Sequence, residues 1–358
     1  MHNRRQRALL GMAEVVETSM PSASAMRAAI IIPTFNEESF IGALLEGMAP
    51  QWDDSVVEVI VVDGRSEDAT RSIVQEFVLK DPRVRLVDNP ARIQSTGINL
   101  AARVANPEAN VLIRLDAHAA YPDDYISGLL ETLAKTGAES VVVRLRSVGE
   151  GCFQRAVAAV SNTIYGTGGA VHRVGGKCGY VDHGHHAAFL RSAFEQVGGY
   201  DESFVAAEDA EFDLRLARVG AQIWFTSELV VDYFPRNSLS ALAAQYYRNG
   251  VGRAQVELKH PGRLRLRQII PPAFLLLLLL CLALSPLQPW FLLGPIGYVA
   301  GCLLIAFALA IQKRDMCLMA TFLALPAIHM PWAAGFMRSL IFGAPARRVR
   351  ASVDPAAA

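Results

Sequence analysis

The C-terminal part of the chain is dominated by long apolar segments. They are IIPPAFLLLLLLCLALSPL (269–287), PWFLLGPIGYVAGCLLIAFALAI (289–311) and MCLMATFLALPAIHMPWAAGFMRSLIF (316–342). A helix needs roughly 20 consecutive apolar residues to cross a bilayer, and the first two segments are close to that length. The 358 residues are 52% hydrophobic with a mean hydropathy of +0.26, which is high for a soluble protein. Residues 269–343 are therefore predicted to be a transmembrane region.

Basic residues flank these segments in three clusters. The clusters are Arg263/Arg265/Arg267, Lys313/Arg314 and Arg347/Arg348/Arg350. Because Lys and Arg concentrate in cytoplasmic loops, all three clusters are predicted to be cytoplasmic, which requires an even number of crossings. The third segment contains Pro326, His329 and Pro331 and is too short for two full spans, so a re-entrant or interfacial hairpin is predicted there. A third plain span is the alternative, and two, three or four crossings stay open.

Two terminal segments, residues 1–27 and 344–358, lie outside the predicted domains. Residues 1–27 contain only a short apolar patch, interrupted by Glu14 and Glu17. They do not resemble a signal peptide and are expected to be a disordered extension, which leaves the following domain in the cytoplasm. Residues 344–358 are expected to form a basic tail.

Residues 28–245 alternate between strand-length and helix-length patterns. Apolar runs rich in β-branched residues, such as AAIIIPTF (28–35) and VEVIVVD (57–63), alternate with amphipathic stretches such as SFIGALLEGM (39–48). The alternation continues through SVVVRLR (140–146). Such a series of βα units predicts an α/β domain with a mostly parallel, Rossmann-like sheet and with ligands beyond the carboxyl ends of its strands.

The stretch from 151 to 206 interrupts this alternation. It is irregular and rich in Gly and His, as in YGTGGAVHRVGGKCGYVDHGHH (165–186), which is typical of a loop that forms part of a site. The five cysteines of the chain are scattered without CxxC spacing. They are expected to be reduced, and they indicate neither a disulfide framework nor a zinc site.

Candidate site residues lie at the ends of three predicted strands. They are Pro33, Phe35 and Glu37 at or just past the end of the first strand, Asp63 at the end of the second and Asp116 at the end of a later one. A carboxylate at this edge of the sheet can accept hydrogen bonds from a base or a ribose, so Asp63 is predicted to bind a nucleoside. The alternative is a turn residue, because Asp-Gly followed by a capping Ser66 is ordinary loop chemistry.

Asp116 and His118 lie two positions apart in RLDAHAAYPDD (114–124). In a loop that leaves a strand, side chains at i and i+2 can be aimed at one point, which suits two ligands of a divalent metal that also contacts diphosphate oxygens. Mn²⁺ or Mg²⁺ is predicted, and the imidazole shifts the preference toward Mn²⁺. In the alternative interpretation, His118 packs beneath Tyr121 and Asp116 caps a turn.

A second acidic pair, Glu208-Asp209, lies in GGYDESFVAAEDAEFDLRLARVG (198–220), just before a run with helical spacing. A carboxylate at a helix N-terminus is stabilised in its charged form, and a positioned carboxylate can take a proton from a hydroxyl group. The pair is therefore predicted to be catalytic. An ordinary capped first turn with acidic residues is an equally good local interpretation.

The segment 246–268 is predicted to be a basic, amphipathic membrane-interface segment. In QYYRNGVGRAQVELKHPGRLRLR (245–267), only Glu257 opposes the many basic residues. Such a stretch can attract anionic lipid or a lipid diphosphate, although a plain positive-inside anchor is the alternative. The formal net charge of the whole chain is +0, so nothing points to nucleic acid as a partner.

Five motifs taken in order resemble glycosyltransferase family 2, which has the GT-A fold. They are PTFNEE (33–38), VVDGRSEDAT (61–70), RLDAH (114–118), GGYDE with EDAEFDLRLARVG (198–220) and QYYRNGVGR (245–253). The resemblance covers roughly residues 28–260. Within the family it is greatest to the ExoA type of succinoglycan biosynthesis, in which DAH stands in the DxD place.

The resemblance implies roles for individual residues. The nucleoside would be held by Pro33, Phe35, Glu37 and Asp63, and Arg92 would lie near the donor. The metal would be held by Asp116 and His118. The base would be Asp209, beside Glu208, and the leaving diphosphate would be assisted by Arg248 or Arg253. Two positions depart from the wider family: Asn249 replaces the Trp of QxxRW, and His118 replaces the second Asp of DxD. Without the tryptophan platform, addition of one or very few sugars is predicted.

The implied protein is an inverting, metal-dependent, non-processive glycosyltransferase in the bacterial inner membrane with its catalytic domain in the cytoplasm. It would move a sugar, with UDP-sugar as the expected donor, to a polyprenyl-diphosphate-linked saccharide in exopolysaccharide or surface-glycan assembly. One alternative is a polyprenyl-phosphate hexose synthase. Another is a non-catalytic membrane subunit of a glycan-assembly complex, against which the intact acidic motifs argue.

Overall fold

The βα alternation forms one nine-stranded sheet. A computed structural model describes residues 22–262 and 264–343, so the predictions for residues 1–21, Arg263 and the tail 344–358 lie outside the described residues. The strands are β1 (Ala28–Thr34), β2 (Val56–Asp63), β3 (Val84–Asp88), β4 (Val111–Arg114), β5 (Ala119–Ala120), β6 (Ser140–Ser147), β7 (Gly179–Val181), β8 (His185–Leu190) and β9 (Ile223–Tyr233).

Helices connect the strands and continue beyond the sheet. Those of the α/β domain are α1 (Ile41–Met48), α2 (Thr70–Lys80), α3 (Gln94–Val104), α4 (Tyr125–Thr136), α5 (Cys152–Ser161), α6 (Ile164–Thr167), α7 (Val171–Val174), α8 (Arg191–Gln196), α9 (Glu208–Arg218) and α10 (Leu239–Lys259). The apolar C-terminal part forms α11 (Leu266–Leu284), α12 (Leu293–Lys313) and α13 (Thr321–Phe342). Short 3₁₀ turns precede α12 and α13.

The predicted Rossmann-like α/β sheet is confirmed, and it also contains antiparallel pairings. Its order is β3-β2-β1-β4-β8-β6-β9-β5, with β7 paired to β9. Four pairings are parallel and four are antiparallel, because β8 runs antiparallel between β4 and β6 and the short β5 and β7 run antiparallel to β9. The strand β8 was not predicted, because its sequence, HHAAFL, lies in the Gly- and His-rich stretch and lacks the β-branched residues that identified the other strands.

The core of the α/β domain follows from the predicted pattern. Ile30, Ile31 and Ile32 of β1 are at most 1% exposed, because a central strand covered on both faces must be apolar at every position. Helices such as α4 turn one apolar face toward this sheet and bury Ile126, Leu129 and Leu133. The sheet therefore fixes where β1, β2 and β4 end, and the candidate site lies at those ends.

Three helices of the C-terminal part are each long and apolar enough to cross a membrane. The third, α13, is one continuous helix, so its prolines do not produce the predicted hairpin. It packs closely along α10: a Cβ at Gly250 would overlap the carbonyl oxygen of Trp332, and one at Gly335 would overlap that of Tyr247. The side chain of Thr321 also donates a hydrogen bond to the Ala156 carbonyl group of α5. This helix is thus attached along its length to the α/β domain.

A disulfide joins Cys152, at the start of α5, to Cys317, in the turn before α13. The sequence analysis expected all cysteines to be reduced, because the two residues are 165 positions apart and form no motif. Their Cα atoms lie 4.9 Å apart, within the range that a disulfide spans. The bond is a consequence of tertiary contact between α5 and the C-terminal helices, which sequence spacing does not encode.

Candidate active site

A cleft opens where β1, β2 and β4 end. It measures about 530 Å³ counted to its open mouth, and its walls include six of the predicted site residues: Pro33, Phe35, Glu37, Arg92, Asp116 and His118. The convergence that was predicted for the strand ends is therefore present.

The loops around this cleft hold an uncommon backbone conformation. Asn36, Arg65 and Arg92 follow β1, β2 and β3, Ala207 precedes α9, and all four have φ between +56° and +61°. Residues other than glycine seldom adopt this region, and such strain is concentrated at functional sites. The cleft loops are thus held in shape by the surrounding contacts and not by local preference.

Asp63 is buried at the end of β2 and does not line the cleft. One carboxylate oxygen accepts from the Ser66 hydroxyl group at 2.5 Å, and the other accepts from the Ser66 amide at 3.0 Å and from Arg71 at 2.8 Å. These bonds match the turn-and-cap alternative. Direct contact between Asp63 and a nucleoside stays a prediction, and it requires one of these partners to give way.

Phe35 and Arg92 form one wall of the cleft. The Arg92 guanidinium group lies 5.5 Å from the centre of the Phe35 ring and 3.2 Å from the Glu67 carboxylate. Phe35 is 45% exposed, so one ring face is available for a planar ligand group. His118 also borders the cleft, and its Nδ1 lies 3.0 Å from Glu37 Oε1. Burial acts to lower the pKa of His118, but this hydrogen bond acts to raise it, and the resulting pKa is raised.

Arg114 connects the two predicted chemical centres. Its Nε donates to Asp116 at 3.2 Å and its Nη1 donates to Asp209 at 3.0 Å. The arginine side chain is 4% exposed. Burial is the largest single influence and favours a neutral carboxyl group, but the Arg114 charge together with the neighbouring histidines outweighs it and holds the pKa of both aspartates below the usual range. Both carboxylates are therefore ionised at neutral pH.

Asp209 and Glu208 differ in their surroundings although they are adjacent at the start of α9. Asp209 Oδ1 also accepts from the Tyr200 hydroxyl group at 2.7 Å, which fixes the orientation of the carboxylate. Burial and the neighbouring Asp209 charge raise the pKa of Glu208. Two carboxyl groups with pKa values pushed apart are typical of a catalytic site.

His185 is a site residue that the sequence analysis did not assign. Its Nε2 lies 3.4 Å from Asp116 Oδ2 and its Nδ1 lies 3.8 Å from Asp209 Oδ2. Burial lowers the pKa of His185 to about 4, so the ring is neutral. Because β8 lies next to β4 in the sheet, the Gly- and His-rich stretch delivers this imidazole between the two carboxylates.

Arg248 and Arg253 lie outside the cleft. Arg248 is exposed on α10, and it is not among the residues that line the cleft. Arg253 is largely buried, and the charges that act on it most strongly belong to Arg265 and Arg267. The contact of either side chain with the donor diphosphate stays a prediction.

The predicted metal ligands can be tested against the donor atoms present. Asp116 is an ionised carboxylate that borders the cleft with His118, and an oxygen with an imidazole nitrogen suits Mn²⁺. Within 22–262 and 264–343, no three His, Cys, Asp or Glu side chains are already grouped to hold a metal. The two side chains fit a cation that takes its further ligands from a bound diphosphate.

Arg114, Tyr200 and His185 were missed because each acts through tertiary contact. A signal for Arg114 existed, since an arginine between Ile113 and Leu115 in a buried strand is costly without an ionic partner. Tyr200 and His185 lie in irregular stretches of sequence, which show no period to orient them.

Two glycosyltransferase family models match this chain. The family model described as glycosyl transferase family 2 matches residues 29–198, and the one described as glycosyl transferase family group 2 matches residues 115–328. The succinoglycan biosynthesis protein ExoA of Rhizobium meliloti (strain 1021) is 41% identical over 313 residues, which are 87% of this chain and 94% of that protein.

Two further proteins are more distant. A dolichyl N-acetyl-alpha-D-glucosaminyl phosphate 3-beta-D-2,3-diacetamido-2,3-dideoxy-beta-D-glucuronosyltransferase of Methanococcus voltae is 26% identical over 88% of this chain and 97% of its own length. The structure of the mannosyltransferase PcManGT from Pyrobaculum calidifontis, in complex with GDP-Man and Mn²⁺, has 20% identity and a TM-score of 0.55, with 95% of this chain and 93% of that chain covered. This chain therefore belongs to glycosyltransferase family 2, has the GT-A fold and is a glycosyltransferase similar to ExoA.

Proposed function

We propose that the protein transfers one sugar from a nucleotide-diphosphate donor, a UDP-sugar, to a polyprenyl-diphosphate-linked saccharide at the cytoplasmic face of the bacterial inner membrane, as a step in exopolysaccharide or surface-glycan assembly. The observation that carries the proposal is the Arg114 bridge between Asp116 and Asp209. The Arg114 guanidinium group holds Asp116, which would face the donor diphosphate, close to Asp209, which would face the acceptor. Donor and acceptor would therefore meet beside Arg114.

The proposed reaction inverts the anomeric centre. Asp209 takes the proton from the acceptor hydroxyl group while that oxygen attacks C1 of the donor sugar, and the bond from C1 to the diphosphate oxygen breaks. Its Oδ1 is held by Arg114 and Tyr200, which leaves Oδ2 for the proton. A divalent cation held by Asp116 and His118 would supply positive charge to the leaving diphosphate.

Phe35 and Arg92 are the proposed platform for the nucleoside. The open face of the Phe35 ring can stack on a base, which is worth about 1–3 kcal/mol in single-stranded nucleic-acid binding. Asp63 keeps the loop after β2 in place through Ser66 and Arg71. Asn249 in place of a tryptophan supports addition of a single sugar, because the platform for a growing chain is missing.

The acceptor class is supported by the relatives. The Rhizobium relative is named for succinoglycan biosynthesis, and the Methanococcus relative is named for transfer to a dolichyl-phosphate-linked sugar. Both relatives are named for steps in glycan assembly, and the proposal assigns such a step to this chain as well. The three apolar helices agree with an acceptor that is a lipid.

We further propose that α11 and α12 cross the membrane and that α13 lies at the interface. The contacts of α13 with Tyr247, Ala156 and Tyr165 are all with the catalytic domain, which is too polar to enter hydrocarbon. Two crossings return the chain to the side on which it started. Arg265 and Arg267 then lie on the same side of the membrane as Lys313 and Arg314, as the positive-inside rule requires.

The proposed function is tested with purified full-length protein, Mn²⁺ and a panel of nucleotide sugars, with release of nucleoside diphosphate as the signal. We expect rapid release from one UDP-sugar only when a polyprenyl-diphosphate-linked saccharide is present. Release that depends instead on polyprenyl phosphate would establish the hexose synthase alternative. No acceptor-dependent release from any donor would contradict the proposal.

A further inference from the structure

Three arginines meet between the Gly-rich segment and the first apolar helix. Arg253 lies on α10, Arg265 immediately precedes α11, and Arg267 is in its first turn. A Cβ placed on Gly168 would be 3.4 Å from the Arg267 side chain, so the Gly-rich segment covers this arginine closely. We call Arg253, Arg265 and Arg267 the arginine cluster.

The carboxylates near the arginine cluster are already engaged. Asp182 forms an ion pair with Arg265. Asp213 pairs with His183 Nδ1 at 2.5 Å and with His186 Nε2. In the part of the chain that the structure describes, neither Arg253 nor Arg267 forms a hydrogen bond or ion pair, although both side chains are more than half buried.

This arrangement leaves surplus positive charge in a partly buried volume. Burial, with the Arg265 and Arg267 charges, lowers the pKa of Arg253 to about 10, which still leaves it a cation at neutral pH. Burying a charge without a partner is costly. A guanidinium group binds phosphate oxygens through paired hydrogen bonds, so a multivalent phosphate group would satisfy both free arginines together.

The arginine cluster lies between the reaction centre and the predicted membrane surface. Asp213, which acts electrostatically on Arg253, is four residues after the proposed base Asp209 on α9. Residues at this spacing lie on one helix face with their Cβ atoms about 5–6 Å apart. On its other side, the cluster contains the first turn of α11, a helix long and apolar enough to cross a bilayer.

We propose that Arg253 and Arg267, oriented by Arg265, bind the diphosphate group of the lipid-linked acceptor. The isoprenoid chain would follow α11 into the bilayer and the saccharide would extend toward Asp209. This inference rests on the proposed function and deepens it, because it assigns residues to the acceptor. It also moves Arg253 from the leaving diphosphate of the donor, its role by family resemblance, to the diphosphate of the acceptor.

The test measures binding of full-length protein in phosphatidylcholine nanodiscs that contain a C55 polyprenyl diphosphate. Arg253→Gln and Arg267→Gln are each expected to weaken binding about tenfold, as loss of one charge-assisted contact does. Arg338→Gln, which removes an exposed arginine of α13, is the matched control and should bind like wild type. Arg253→Lys keeps the charge and should lose less affinity than Arg253→Gln, which separates a local loss from misfolding.

Two parallel measurements distinguish other sources of phosphate. Nanodiscs with phosphatidylglycerol in place of the polyprenyl diphosphate should show no dependence on Arg253 or Arg267, and equal dependence would make the cluster a general headgroup site. If Arg253→Gln raised the KM for the nucleotide sugar and left the KM for the acceptor unchanged, Arg253 would bind the diphosphate of the donor. Either result overturns the inference.

The inference and the proposed function fail in different ways. Arginine-dependent binding of the polyprenyl diphosphate by a protein that transfers no sugar would contradict the proposed function alone. Normal sugar transfer with binding that is insensitive to both substitutions would contradict the inference alone.

Discussion

At the proposed reaction centre, the charged groups Asp116, Arg114 and Asp209 satisfy one another, and of these three only Asp116 lines the cleft. By contrast, Arg253 and Arg267 of the arginine cluster have no hydrogen-bonding partner within 22–262 and 264–343. The reaction centre is thus organised before any substrate arrives. The arginine cluster has the opposite character, since it needs an anion to complete it. Substitutions in the two regions should therefore affect different steps: chemistry and donor binding in the cleft, acceptor binding in the cluster.

The largest effect is expected from removing the charge of Asp209. Asp209→Asn should lower kcat by about 10³-fold, within the range for loss of a general base, and leave both KM values near wild type. Tyr200→Phe keeps the ring and removes one hydrogen bond to Asp209, so its kcat should fall far less. If Glu208→Gln lowers kcat more than Asp209→Asn does, the base is Glu208.

The pH dependence of kcat sharpens the same distinction. The pKa of Asp209 is lowered, so this group is charged throughout the neutral range, whereas the raised pKa of Glu208 means that it takes up a proton as the pH falls from neutrality. With Asp209 as the base, kcat measured at saturating Mn²⁺, which keeps a ligating His118 unprotonated, should stay level from about pH 8 to about pH 6, well above the pKa of an ordinary aspartate. A loss of kcat in this range that disappears in Glu208→Gln would contradict this assignment.

Donor binding should respond to the Phe35 ring. Phe35→Ala is expected to raise the KM for the nucleotide sugar about tenfold, because base stacking on an aromatic ring is worth about 1–3 kcal/mol. The KM for the acceptor should not change. Phe40→Ala, at a similarly exposed phenylalanine that does not line the cleft, is the control. If Phe35→Ala left the donor KM unchanged, Phe35 would have no role in donor binding.

The smallest effect on activity is expected at the disulfide. Cys152→Ser should abolish the faster migration of unreduced protein in a denaturing gel, because the bond closes a loop of 165 residues, and it should leave kcat unchanged. Cys178→Ser, at an exposed free cysteine, is the matched control and should keep that migration. A large loss of kcat in Cys152→Ser alone would show that the contact of α5 with the C-terminal helices controls the cleft.

The cleft and the arginine cluster also differ in how far the sequence predicts them. Phe35, Glu37, Asp116 and His118 follow strands whose apolar patterns are regular, so their meeting at one edge of the sheet was predictable. The basic stretch 245–267 was predicted to attract a lipid phosphate, but the individual arginines of the cluster were not, because they join α10, α11 and the loop at Gly168, which are brought together only by tertiary packing. For the same reason, the antiparallel β8 and the disulfide had no signal in a periodic pattern.

The central claim is that sugar transfer takes place where Asp116 and Asp209 meet at Arg114. It is tested most directly by comparing Mn²⁺-dependent transfer to the lipid-linked acceptor in wild type, Asp116→Ala and His118→Asp, after circular dichroism has established that all three are folded. We expect Asp116→Ala to be inactive and His118→Asp, which restores the DxD pattern, to retain metal-dependent transfer. Wild-type activity in Asp116→Ala would contradict the account.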